Sequence, residues 1–372
     1  MKTALVIGGT GPTGPFIVDG LIDRGYAVTI FHSGFHEVEF KQPVEHLHND
    51  PHFRETFEAA IGKRSWDVVV FSYGRLQLAA ELLRGRTGRL IALGGATGSA
   101  AAAHDPAWGA MGRHANIDEA SSIPETDVAR NKFGYRMAQA EAALFQAHHD
   151  GHYNATYIGY PILYGPRQPG PQEWSIVRRV LDRRAQFIIA DGGIKLESRA
   201  YVENAAHATL LALDQPERSA GRKYFVADEK LYSMRQRIEA IARYLKHEFE
   251  FVDLPYELAL PCHVLWRFER ANRIREPHRI REELGYRDVV SAEEGMRRTV
   301  DGLVSDPPAP ESEAAIQLGD PFDYAREDRL IHDWTEWRKR LPAVDYPILP
   351  PAHIYRHPKQ PNEPWQRPSR RV

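Results

Sequence analysis

The chain has 372 residues, enough to bury a large core in one long domain or two. With 42 % hydrophobic and 26 % charged residues it has the make-up of a soluble globular protein, and a formal net charge of −2 argues against a nucleic-acid surface that works by bulk attraction. A single cysteine, Cys262, excludes an intrachain disulfide and a thiolate metal cluster, and it reads as a small buried hydrophobe.

The first elements carry the strongest pattern. Residues 4–7 form an apolar run of strand length that enters a glycine-rich turn: Gly8, Gly9, Thr10, Gly11, Pro12, Thr13 and Gly14. An amphipathic helix follows, with Phe16, Ile17, Leu21 and Ile22 at helical spacing and a stop at Gly25. Glycines there let the backbone turn sharply and approach a pyrophosphate, and a helix amino end offers free N–H groups and partial positive charge. The turn fits two registers, Gly9-Gly11-Gly14 as G-x-G-x-x-G and Gly8-Gly11-Gly14 as G-x-x-G-x-x-G. Strand, turn and helix together are the context a dinucleotide fingerprint needs.

Strand-like and helix-like segments then alternate, which predicts an α/β fold with a parallel, doubly wound sheet. Strands are expected at Tyr26–His32, 44–50, Trp66–Phe71, 89–93 and Asn154–Tyr160, and helices at 53–61, 76–83 and 128–149. The segment 96–126, rich in Ala, Gly and Ser, is expected over the carboxyl edge of the sheet, where such folds bind ligands. Beyond Pro161 turn residues cluster at 164–171, followed by a helix at 174–184, a strand at 187–190, a turn at 191–193 and a helix at 202–213. From about Asp306 onward many prolines with several Trp and Tyr read as a surface arm or a clasp on a partner. No apolar run reaches the roughly 18 residues of a membrane span. The first residues lack a signal-peptide pattern, so no membrane partner and a cytoplasmic setting are expected.

An acidic residue that would hold an adenosine ribose is expected at the end of the second strand, about 20 residues past the glycines. Phe31-His-Ser-Gly34 offers no Asp, Glu or Arg there; His32 and Ser33 can bond a ribose hydroxyl or a 2′-phosphate, which leaves NAD and NADP both open. His46 and His48 share one face of a strand, but no cluster of Cys or carboxylates joins them in sequence. With His52 they read as surface histidines, and no metal is expected.

Further along stand Ile117-Asp-Glu-Ala-Ser-Ser-Ile-Pro124, Arg130-Asn-Lys-Phe-Gly-Tyr-Arg-Met-Ala-Gln-Ala-Glu141, Tyr160-Pro-Ile-Leu-Tyr-Gly-Pro166 and Ser198-Arg-Ala-Tyr-Val-Glu-Asn204. Together with the glycine turn, and in this order, they resemble the extended short-chain dehydrogenases/reductases, the family of sugar-nucleotide epimerases and dehydratases. The resemblance covers roughly residues 1–250. It implies a Rossmann domain over 1–160, a smaller substrate-binding region over 161–305 with strands and helices returning to the Rossmann core, and a Pro-rich arm over 306–372.

The family's catalytic helix carries a Tyr and, four residues later, a Lys that favours the phenolate and holds the nicotinamide ribose. Here the Tyr is Tyr135, implied as general acid/base, and the Lys position is Gln139, whose amide can bond a ribose hydroxyl without supplying charge. Lys132, three residues before Tyr135 on the same helical face, is a possible substitute cation. The family's Ser or Thr after the fifth strand falls at Gly94 and Gly95, so Thr97, with Ser99 behind it, is the candidate hydroxyl. Asp50 matches in position an Asp used near the adenine, or is a turn residue before Pro51. Tyr164, Arg167 and Arg199 come from regions that face substrate in relatives, where an arginine pair would suit an anionic group.

The activity implied is reversible hydride transfer between a nicotinamide cofactor, NAD or NADP, and a hydroxyl or ketone carbon of a small substrate. It would serve a reduction, an epimerisation or the first step of a dehydration. The alternative is a dinucleotide-binding protein that has lost catalysis and acts as a sensor, scaffold or RNA-associated factor. A homodimer is an expectation from the resemblance alone.

Overall fold

The computed structural model describes residues 1–72, 75–95, 116–121, 132–260, 265, 272, 274–342 and 360–364, without the side chains of Lys132 and Phe133. Seven strands are introduced here in chain order: β1 (Lys2–Ile7), β2 (Tyr26–His32), β3 (Glu45–His48), β4 (Trp66–Phe71), β5 (Thr87–Gly95), β6 (Asn154–Tyr160) and β7 (Arg222–Phe225). They form one all-parallel sheet in the order β7-β6-β5-β4-β1-β2-β3. The order reverses between β1 and β4, the switch point at which open α/β sheets bind ligands beyond the carboxyl ends of the strands.

Parallel strands covered on both faces need apolar side chains on both, and the sequence supplies them as near-continuous runs. Ala4, Val6, Ile30, Val68, Val70, Ile91 and Ile158 pack on one face with helices α1 (Gly14–Asp23) and, much later in the chain, Val202–Asp214. Leu5, Ile7, Phe31, Val69, Phe71, Leu90, Ala92 and Tyr157 pack on the other with α2 (Arg54–Ile61), α3 (Leu76–Leu82) and α4 (Lys132–His149). The expected strands and helices of the first 160 residues therefore stand within a few residues of where periodicity places them. The seventh strand, Arg222–Phe225, begins with Arg and Lys and has too little apolar run to announce itself, yet it adds to the edge of the sheet beside β6.

Residues 1–327 make one compact unit and residues 328–372 a second. The reach of the first unit past Asp306 has a physical cause in a fully buried cation. Arg179, on the helix Gln172–Leu181, pairs with Asp320 at 2.8 Å and with Glu327, and also bonds the Ser175 carbonyl and hydroxyl. Among the described residues no helix is long and apolar enough to cross a membrane.

A buried cation with two buried carboxylates costs most when one partner is removed, because the others stay uncompensated. Arg179→Ala is therefore expected to lower unfolding stability by about 3–5 kcal/mol in urea titrations. Arg54→Ala, which breaks an exposed pair with Glu81, is expected to change it by less than about 1 kcal/mol.

Candidate functional site

The glycine turn is built by steric necessity. Gly8 has φ of 94°, open to glycine at no cost, and its N–H donates to the Phe31 carbonyl at 2.9 Å. Gly14 lies against the backbone of Gly9, where a Cβ would come 2.1 Å from the Gly9 carbonyl oxygen. Gly11 is different, since a Cβ there would meet only the Gly8 carbonyl, at 3.7 Å. The two indispensable glycines are thus those that turn the chain out of β1 and seat α1 against its end. Thr13 precedes α1 without a side-chain cap, and the first turn has no acidic residue and includes Pro15. Thr10, Gly11 and Pro12 form a half-buried tip, and Thr13 is buried. A tight backbone cradle at an uncapped helix amino end, free of negative charge, fits a pyrophosphate.

At the end of β2, His32 is buried and Ser33 half-buried. His32 lies with Nε2 3.1 Å from Nδ1 of His46, and the Gly34 N–H donates to its Nδ1 at 3.2 Å. Burial holds His32 toward its neutral form against the Glu37 carboxylate, and the His48 and His46 rings add to that tendency. Asp50 takes the turn role: its carboxylate accepts the backbone N–H of His52 at 2.8 Å and faces the His52 ring at 2.8 Å, ahead of α2. The His52 N–H, with smaller help from its ring, holds the Asp50 carboxyl below the usual range. The structure also corrects the reading of the histidines. His52 stands apart with Asp50, whereas His46 and His48 are joined by His32 and by the carboxylate of Glu37.

On α4, Ala140, Leu144 and Ala147 are buried in the core, which turns Tyr135 and Gln139 to the rim as half-buried and exposed residues. The two meet: the Gln139 amide Nε2 donates to the Tyr135 hydroxyl oxygen at 3.1 Å. Lys132 is the first helical residue, and its side chain lies outside the described residues, as do Thr97 and Ser99.

What stands at the end of β5 was not foreseen. A Cβ at Gly94 would lie 2.4 Å from Oη of Tyr157 and 2.9 Å from Cε of Met137, so the volume of a Ser or Thr side chain there is already filled. Tyr157 Oη donates to the Gly95 carbonyl at 2.8 Å. Burial pushes this phenol well above its ordinary pKa, and the Glu141 carboxylate, itself paired with Lys223 at 2.7 Å, pushes the same way. The available signal was spatial: Tyr157 pairs with Ala92 in the β5–β6 register, and Gly94, two residues on along β5, makes room for its ring.

Two of the residues expected to face substrate are closed into the protein. Tyr164 is fully buried against Tyr201, Val202, Val290 and Met296, and its hydroxyl donates to Asp228 at 2.6 Å. Arg199 is buried between Glu173 at 3.0 Å and Glu197 at 2.9 Å, with Gln172 on the same guanidinium. The forked donor that suggested an anionic ligand is matched by carboxylates of the chain itself. Arg167 is exposed on its turn, with φ of 60°.

Comparison with known proteins places this geometry. No family model matches the chain. The protein y4nL of Sinorhizobium fredii, described as uncharacterized, is 28 % identical over 215 residues, 51 % of this chain and 58 % of its own length. A 3beta-hydroxysteroid-dehydrogenase/decarboxylase of Arabidopsis thaliana is 22 % identical over 221 residues, 52 % of this chain and 50 % of its own. The match thus spans 58 % of the length of the first relative and 50 % of the second. Among solved structures, UDP-glucose 4-epimerase of Thermotoga maritima, determined with UDP-glucose, superposes with a TM-score of 0.64 at 19 % identity, covering 82 % of this chain and 99 % of the epimerase. The Bordetella bronchiseptica enzyme WbmH, in complex with NAD+, gives 0.64 at 13 % identity over 83 % of this chain and all of that one. These structural matches are likenesses of fold.

Gly94→Ala is expected to destabilise the protein by about 1–3 kcal/mol through overpacking against Tyr157. Adding Tyr157→Phe removes the 2.4 Å contact and should return part of that loss, read as a coupling energy in a double-mutant cycle of urea unfolding.

Proposed function

We propose, for a chain that belongs by fold and motif order with the extended short-chain dehydrogenases/reductases, that it binds a nicotinamide dinucleotide and catalyses reversible hydride transfer at a hydroxyl or ketone carbon of a small substrate. The observation that carries this reading is the pairing of two features at the carboxyl edge of the sheet. One is the backbone cradle between Gly8 and Gly14; the other is the Tyr135–Gln139 contact on the helix whose Met137 touches the end of β5. The Gly8–Gly14 backbone and the start of α1 would hold the pyrophosphate, and His32 and Ser33 would border the adenosine ribose or a 2′-phosphate. Bound there, the nicotinamide supplies a carbon that accepts or donates hydride.

Tyr135 would exchange the proton that accompanies the hydride. Its oxygen accepts from Gln139, which leaves the O–H free to give its proton to a ketone oxygen as hydride reaches the carbon; in the reverse direction the phenolate would take the alcohol proton as hydride leaves. The amide polarises the phenol without adding charge, so it favours the phenolate less than a Lys would. With glycines at 94 and 95, and Tyr157 filling the space beside Gly94, no side-chain hydroxyl stands at either position and proton exchange would rest on Tyr135. The same two departures favour a second reading, a dinucleotide-binding sensor or scaffold without turnover.

Protein purified without added nucleotide is expected to retain NAD, or to bind NAD or NADP on titration, and Gly14→Val to bind neither. Released small molecules identified by mass and calorimetric titration make the check, and a wild-type chain that binds neither nucleotide would sink the proposal. Tyr135→Phe is expected to keep nucleotide affinity and lower turnover on alcohol or ketone substrates by about 10²-fold or more. Gln139→Lys should raise that turnover; no turnover in either protein, with binding intact, selects the sensor.

A further inference from the structure

The outer edge of the sheet carries a constellation of which the proposed nucleotide site borders only His32. In the β2–β3 register Ile30 stands beside His46 and His32 beside His48, and alternate residues of a strand share a face. Three imidazoles are therefore delivered to one side of the sheet by register alone. The loop from Ser33 to Val44 returns over that side and brings in Glu37. Its carboxylate lies 3.2 Å from Nδ1 of His46, 3.1 Å from Nε2 of His48 and 3.9 Å from Nε2 of His32. His32 Nε2 and His46 Nδ1 are 3.1 Å apart, and one ligand atom from each of the four residues falls within 4.8 Å of the others.

The shorter of those separations, 3.1–3.2 Å, are close to what a small metal ion requires, and the longer ones need only a small inward movement of the side chains. Four ligands at about 2.0–2.1 Å in a tetrahedron stand about 3.3 Å from one another. The rings meet edge to face, with centroids 5.2, 4.7 and 5.6 Å apart and interplanar angles of 69°, 84° and 77°. Burial is graded: His32 is closed in, His46 is partly covered, and His48 and Glu37 reach solvent, which leaves a way in for an ion.

We propose that His32, His46, His48 and Glu37 form a binding site for one divalent transition-metal ion of the zinc class. Three nitrogens and one carboxylate oxygen suit Zn2+, Co2+ or Ni2+; they do not suit Mg2+ or Ca2+, which require mostly oxygen ligands. Ligation through Nε2 of His32 places that ring's proton on Nδ1, so the Gly34 N–H, now 3.2 Å from Nδ1, must turn away. Gly34, at φ of 83°, is free to do so. The site stands on this geometry and not on the reading of the glycine turn.

The test uses the untagged 372-residue chain, stripped by chelator and dialysed, then titrated with Co2+ and separately with Zn2+. One equivalent of Co2+ with the intense visible bands of a four-coordinate ion is expected, and one Zn2+ retained through dialysis, by elemental mass spectrometry. His46→Ala with His48→Ala should abolish both signals, and Glu37→Gln, an exposed loop change that spares the core, should weaken Co2+ affinity at least tenfold. His52→Ala, which alters a neighbouring imidazole outside the cluster, should leave both unchanged. Wild-type chain that takes up no stoichiometric metal, a six-coordinate Co2+ spectrum, or uptake that survives both the double variant and Glu37→Gln would overturn the proposal.

Discussion

The contact on which the site depends is that of Gly14 with the carbonyl of Gly9. Any side chain at Gly14 would drive a Cβ to within 2.1 Å of that oxygen, so the start of α1 is locked against the end of β1. The same helix is held from its other side, where a Cβ on Gly20 would lie 2.3 Å from Cδ1 of Leu210 on the helix Val202–Asp214. Two close approaches of bare backbone thus fix α1 between the first strand and a helix almost two hundred positions later. The amino end of α1, with its uncapped N–H groups, is thereby aimed over the switch point between β1 and β4.

Around that fixed point two polar contacts stand near the ends of the strands. Gln139 contributes a hydrogen bond where a Lys would contribute a hydrogen bond and a charge. Tyr157 contributes bulk beside Gly94 and a donor to the Gly95 carbonyl. Burial and the nearby Glu141 both oppose ionisation of Tyr157. The phenol of Tyr157, as it stands, requires a glycine at 94.

Legibility in the sequence followed the range of the interactions. Short-range rules placed β2, β4 and β6 over the very residues where they stand, and apolar runs and glycines were enough for the turn and α1. They failed where a side chain's partner lies far along the chain. Arg199 read as a substrate clamp because Glu173 is 26 residues before it. The prolines suggested an arm from about Asp306, yet Asp320 and Glu327 reach back to Arg179 over 141 and 148 residues, and the first unit runs to Glu327. The histidines failed for a third reason. Their shared face was visible, but Glu37 lies in a loop without periodicity, and the pairing of His32 with His48 needs the register of two strands.

Both constellations at the carboxyl edge hang on the last two peptide units of β2. The Phe31 carbonyl accepts the Gly8 N–H at 2.9 Å, which sets the exit of the glycine turn, while the His32 carbonyl accepts the Asn49 N–H at 3.1 Å, which sets the exit of β3. The side chains alternate in the same way: Phe31 is buried beneath the sheet against Phe57, at 5.3 Å between ring centroids, and His32 turns to the opposite face among the histidines. A change that moves the end of β2 must therefore move the nucleotide cradle and the imidazole cluster together. Changes confined to His46, His48 or Glu37 touch the cluster alone, since none of them bonds the backbone of the turn. Their chemistry is thus separable even though one strand positions both.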